Sequence, residues 1–158
     1  MGLDNIPQIY PCQKQGFVED GEQINCSVLQ ENGQCPWKNE FESSLTKEGG
    51  GSPTYGMFGT DCWYRGKWGN YLIEELLSCD SSVEEPPVTL YGTGIHGEEI
   101  LSSEDSTRLA NWVLDHSDDF ERMISARTEM QSDMPDWFYL AWWLKFTAEF
   151  SDGSIPWY

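Results

Sequence analysis

Five cysteines and two histidines are the side chains in this sequence best suited to metal binding or covalent chemistry. Four of the thiols, Cys12, Cys26, Cys35 and Cys62, fall in a stretch rich in Gly, Pro, Asn and Gln with few periodic apolar positions. Such a stretch has too little apolar material to fold unaided. A zinc ion held by four thiolates would supply the missing stabilisation. The intervals between the four are 13, 8 and 26 residues, with no C-x-x-C knuckle. Disulfides, or reduced and partly buried thiols, therefore stand beside zinc as readings of the same residues. Cys79, at the end of a predicted helix, is the unpaired fifth. No basic cluster adjoins a cysteine, and both histidines are far off in sequence, so an activated thiol is not indicated.

His96 sits in a glycine-rich run, Gly92-Thr93-Gly94-Ile95-His96-Gly97. The Gly92, Gly94 and Gly97 spacing matches a dinucleotide-binding loop, but its context does not: the next helix starts several residues later, and Glu98 and Glu99 would repel phosphate. The run reads first as a strand-to-helix turn. A role for His96 as metal ligand or base, backed by Glu98 or Glu99, is the enzymatic alternative. A second candidate contact is a small basic and aromatic spot, Arg65, Lys67 and Trp68, on an otherwise acidic chain. The competing reading is that these cations simply neutralise nearby acids.

Charge sets the wider frame. Nine basic residues against 27 acidic ones give a net charge of −18 in 158 residues. That balance excludes phosphate-directed binding of DNA or RNA, and of anionic membranes, and favours basic proteins as partners. From Asp80 to Asp136 there are 14 acidic residues, 3 Arg and no Lys. Carboxylates arrayed on helices in that proportion can imitate the phosphates of DNA toward a DNA-binding protein. The opening residues lack a basic start and an apolar run, and no stretch nears the ~20 apolar residues of a membrane span, so a cytoplasmic location is expected.

The elements that must position these groups point to one α+β domain with an embellished N-terminal lobe. Residues 1–79 read as a Cys-rich loop lobe. Its hairpin has strands 16–19 and 22–26 around Asp20-Gly21, and a Gly59–Gly66 strand follows. The lobe ends in a short helix, Tyr71 to Leu77, capped by Asn70 and apolar at Leu72, Ile73, Leu76 and Leu77. Residues 80–87 read as an acidic linker, and 88–158 as a strand (Val88–Tyr91) plus three helices. Ser102, three residues before Asp105, announces the first of these. The second starts at Asp118 or Asp119 with Phe120, Met123 and Ile124 in a stripe. The third opens at Asp133-Met134-Pro135-Asp136 and is apolar nearly all round to Phe150, so it must be buried on most sides. Gly153 is its stop.

Met1-Gly2-Leu3-Asp4, Gly92-Thr93-Gly94, Ser102-Ser103-Glu104-Asp105 and Phe150-Ser151-Asp152-Gly153 together resemble a loose group of small phage and bacterial proteins of unknown function that open Met-Gly-Met/Leu-Asp. The resemblance covers short islands, and the Cys-rich residues 12 to 62 depart from it. It implies a viral or bacterial source, with the host cytoplasm as the location if the chain is phage-encoded, and no catalytic residues.

The function expected is a non-enzymatic acidic interaction protein that binds a basic or DNA-binding host protein; a small metal- or ligand-dependent enzyme using His96 is the alternative. Metal analysis of purified protein tests the cysteines. About one equivalent of zinc, released on denaturation, is expected of a four-cysteine site, and less than about half an equivalent rejects it.

Overall fold

The computed structural model describes residues 4–10, 14, 56–57, 63–65, 68–88, 100–127 and 134–157. Among these residues, four helices and four short strands make an α+β arrangement that is mostly helical. The elements are β1 (Asp4–Pro7), β2 (Gly56–Met57), β3 (Trp63–Arg65), α1 (Trp68–Cys79), α2 (Ser103–Asp115), α3 (Ser117–Ala126), α4 (Met134–Phe150) and β4 (Ser154–Trp157). The Cys-rich segment with its Asp20-Gly21 hairpin and residues 89–97 of the expected strand and turn lie outside the described residues.

The core forms around α4, whose sequence leaves no polar stripe for solvent. Trp137, Tyr139, Leu140, Ala141, Trp142, Trp143, Leu144, Phe146 and Thr147 are all buried. Its main partner is α2, which contributes Leu109, Ala110, Trp112 and Val113 to the same cluster. The Trp137 indole shows how tightly the two are joined. Its Nε1 donates to the Val113 carbonyl at 2.7 Å, and its ring stacks on Phe120 of α3 with centroids 4.3 Å apart. A buried indole needs that acceptor, because an unpaired N–H away from water costs about 1–3 kcal/mol.

Helix starts follow the sequence signals to different degrees. Ser102 caps α2 as expected, its hydroxyl accepting from the Asp105 amide at 3.1 Å. Glu104 and Asp105 in the first turn add a favourable interaction with the helix dipole. For α1 the expected cap is wrong. The helix begins at Trp68, so Asn70 lies inside it, and the buried Gly69 is part of the first turn. Packing overrides the cap preference there, while the expected apolar face is kept: Leu72, Ile73 and Leu76 are buried and Leu77 packs against them. Helix α3 starts at Ser117, a residue or two before the expected aspartates. Between α2 and α3 the chain turns on a single residue, His116, which ends one helix and precedes the next.

Of the sheet, only β3 is foreshadowed by the sequence. The strand order is β2-β3-β1-β4, and every pair is antiparallel. β1 sits in the interior, with Asn5 opposite Tyr64 on one side and opposite Pro156 on the other. Pro156 has no N–H to give a ladder and is tolerated because β4 lies at the sheet's edge. Tyr64 carries the sheet onto the helices, its ring 5.6 Å from Tyr139 and 5.4 Å from Trp143 of α4. Residues on both sides of 80–87 thus enter one sheet and one core. Trp112 also ties that acidic segment down, donating from Nε1 to the Glu84 carbonyl at 3.2 Å.

Gly153 lies between the end of α4 at Phe150 and the start of β4 at Ser154. Its φ of 96° is open to glycine and strained for other residues, and its amide donates to Thr147 O at 2.9 Å. A Cβ at this position would overlap the Leu101 carbonyl oxygen, where Leu101 and Ser154 exchange two backbone hydrogen bonds. Gly153→Ala is therefore expected to destabilise the protein by about 3 kcal/mol in chemical denaturation. A loss below about 0.5 kcal/mol would show that this close approach is not kept in solution.

Candidate functional site

Among the described residues the basic side chains are largely engaged within the chain. Lys14 pairs with Asp152, Arg108 with Asp105 at 3.2 Å, and Arg122 with Asp119 at 3.2 Å, while Arg127 pairs with Glu75 at 2.9 Å. The exposed carboxylates of Glu84, Glu85, Glu104, Asp115, Asp118 and Glu121 have no such partner among the described residues. Glu104 and Asp115 are three turns apart and so share a side of α2. Trp112 holds Glu84 against the same helix, and Asp118 and Glu121 continue the acidic surface onto α3.

Where α1 ends beside α3 this surface opens into a cleft of about 530 Å³, lined by Ser78, Cys79, Asp80, Asp119, Arg122, Met123, Ala126 and Arg127. Local chemistry fixes its two carboxylates. Asp80 follows the last residue of α1, and its Oδ1 accepts from the Ser82 hydroxyl and from the Ser82 amide at 3.0 Å. These two bonds favour the charged form and hold the carboxyl below its ordinary value of 3.8, with a smaller contribution from Arg122. Asp119 stands in the first turn of α3, and its Oδ2 lies 2.8 Å from His116 Nδ1. Each acid thus has one oxygen tied to the scaffold. Each turns the other to the Arg122 guanidinium: Asp119 Oδ1 at 3.2 Å and Asp80 Oδ2 at 4.0 Å.

Two helix ends reinforce this polarity. α1 stops at Cys79 and α3 at Ala126, and both C-terminal ends carry partial negative charge into the region. The Cys79 thiol is exposed and free. Among the described residues no base is hydrogen-bonded to it.

Of the residues singled out from sequence, Cys79 lines the cleft, and Arg65 and Trp68 are not among its lining residues. Arg65 lies on β3, opposite Asp4 in the register, and Trp68 opens α1. Lys67, His96, Cys12, Cys26, Cys35 and Cys62 lie outside the described residues. Among the described residues no group of three or more His, Cys, Asp or Glu is placed to hold a metal ion, and no helix is long and apolar enough to cross a membrane.

No relative answers for this chain. Comparison with protein-family models, with curated proteins and with solved structures finds no match. Sequence reasoning missed Asp80, Asp119 and Arg122 as a set. The i,i+3 spacings of His116, Asp119 and Arg122 were a local signal for part of it. The arrival of Asp80 from the end of another helix left none.

Because folding lowers the Asp80 pKa, its contribution to stability is complete above its unfolded value and is lost as pH falls through the folded value. An NMR titration of the aspartate carboxyl carbons should place Asp80 below 3.8. Ser82→Ala should move it up toward that value, and an unmoved midpoint would mean that the turn does not hold the carboxylate.

Proposed function

We propose that this chain is a non-enzymatic acidic interaction protein that binds and modulates a basic protein, with imitation of DNA charge as one mode. The observation that supports this most directly is the pairing pattern. The cations of Lys14, Arg108, Arg122 and Arg127 are held in ion pairs, while the carboxylates of Glu84, Glu85, Glu104, Asp115, Asp118 and Glu121 stand exposed and unpaired among the described residues. With a net charge of −18, such a surface repels nucleic acid and anionic lipid, attracts basic protein surfaces over distance, and speeds the encounter at low salt. Its fixed helical scaffold suits display of charge at set spacings, which is what a phosphate mimic requires.

A pull-down with a charge-reversed variant tests the reading. Bait carrying Glu84→Lys, Glu85→Lys, Asp115→Lys, Asp118→Lys and Glu121→Lys should lose the partner that the unmodified chain captures. Capture by the unmodified chain should fall as salt rises. For the DNA-mimic mode, added duplex DNA should displace the chain from its partner. Capture that ignores both salt and the five reversals would reject an electrostatic interaction protein; salt-sensitive capture that duplex DNA leaves intact would reject mimicry alone.

A further inference from the structure

We propose that the cleft between the end of α1 and α3 is an arginine-receiving site, occupied in the free chain by its own Arg122, which an arginine of a basic protein partner replaces. The inference rests on the acidic-interaction reading and adds to it a locus, a side-chain type and an intramolecular competitor.

The receptor half is built from both sides. Asp80 is anchored through Oδ1 by Ser82, and Asp119 through Oδ2 by His116. Their remaining oxygens, Asp80 Oδ2 and Asp119 Oδ1, address one guanidinium. Carboxylates held in place lose little freedom when a cation arrives, and a planar fork of donors suits two acceptors on separate walls better than an ammonium does. The adjacent C-terminal ends of α1 and α3 favour positive charge in the same space. Arg127, which also lines the cleft, opposes an incoming cation little because Glu75 holds its charge at 2.9 Å.

The occupant is loosely held. Arg122 is 69% exposed and lies 4.0 Å from Asp80, a distance beyond a hydrogen bond. Exposed ion pairs of this kind contribute little to stability and are screened by salt. A partner arginine entering the volume of about 530 Å³ would be shielded from water by the partner's own surface, so the same two carboxylates would hold it more strongly. Arg122 then swings into solvent from its place on the outer surface of α3. Self-occupation keeps the carboxylate pair from binding free cations indiscriminately, and it makes partner binding a competition whose strength the chain itself sets.

The test compares two substitutions that change net charge identically. Arg108 is also an exposed arginine in an i,i+3 pair, with Asp105, but lies on α2 and does not line the cleft. Binding of a fluorescent peptide with spaced arginines is measured by anisotropy for the unmodified chain, Arg122→Ala and Arg108→Ala at one ionic strength, with folding checked by circular dichroism. Removing the competitor should tighten binding about threefold or more over Arg108→Ala. Asp80→Asn and Asp119→Asn should each weaken it about threefold or more relative to Asp118→Asn, an exposed acid outside the cleft. Replacing the peptide's arginines with lysines should erase most of the difference between Arg122→Ala and Arg108→Ala.

Equal affinities for the two arginine variants, no binding by any of them, or indifference to Asp80→Asn and Asp119→Asn would overturn the proposal. That failure is distinct from failure of the wider reading. If the five lysine substitutions on the acidic surface still abolish partner capture while Arg122→Ala and Arg108→Ala behave alike, the chain is an acidic interaction protein whose partner does not use this cleft.

Discussion

The structure depends on the need to bury one helix on nearly every side. Met134–Phe150 offers no polar face, so the remaining elements must surround it, and their order in space follows from what each can cover. α2 supplies Leu109, Trp112 and Val113, α3 supplies Phe120, and Tyr64 brings the sheet against Tyr139 and Trp143. At about 1.5–3 kcal/mol for each large apolar side chain removed from water, this burial opposes the self-repulsion of a chain with net charge −18. The two indole N–H groups that enter the core are matched there: Trp137 and Trp112 each donate to a backbone carbonyl.

That division of labour explains how one surface can be so acidic. Since cohesion comes from inside, α2 and α3 can carry exposed carboxylates without needing cations to hold them together. Among the described residues, Arg108 with Asp105 and Arg122 with Asp119 pair along the surface of one helix. The Arg127–Glu75 pair joins two helices, α3 to α1, and with it the walls of the cleft.

Much of the helical part is legible in the residues. The Ser102 to Asp105 spacing marks the start of α2, Pro135 marks the first turn of α4, and the all-round apolar pattern of α4 requires burial. The α1 cap is misleading because Asn70 is a good cap by type, while the packing of Gly69 and Leu72 decides where the helix begins. β1 and β4 escape notice for a different reason. Each is four residues long and contains a proline, so neither shows a run of alternating apolar positions, and a partner at the other end of the chain leaves no local trace. The cleft is half legible: His116, Asp119 and Arg122 follow helical spacing, but Asp80 joins them only through tertiary structure. Arg65 and Trp68, near neighbours in sequence, stand on a strand and at the head of a helix.

The pairing of Asp4–Pro7 with Ser154–Trp157 also bears on how the molecule assembles. Loop closure over such a separation is entropically unfavourable until other contacts have drawn the chain in, although the penalty grows only slowly with length. The α2–α3–α4 cluster, built from neighbours in sequence, can form first and offer Tyr139 and Trp143 as the platform on which Tyr64 and the strands settle. Closure of β1 between β3 and β4 is favoured once that cluster has drawn the chain in. It makes the integrity of residues 4–7 a condition for the far end of the chain, and a lesion at either strand should be felt at the other.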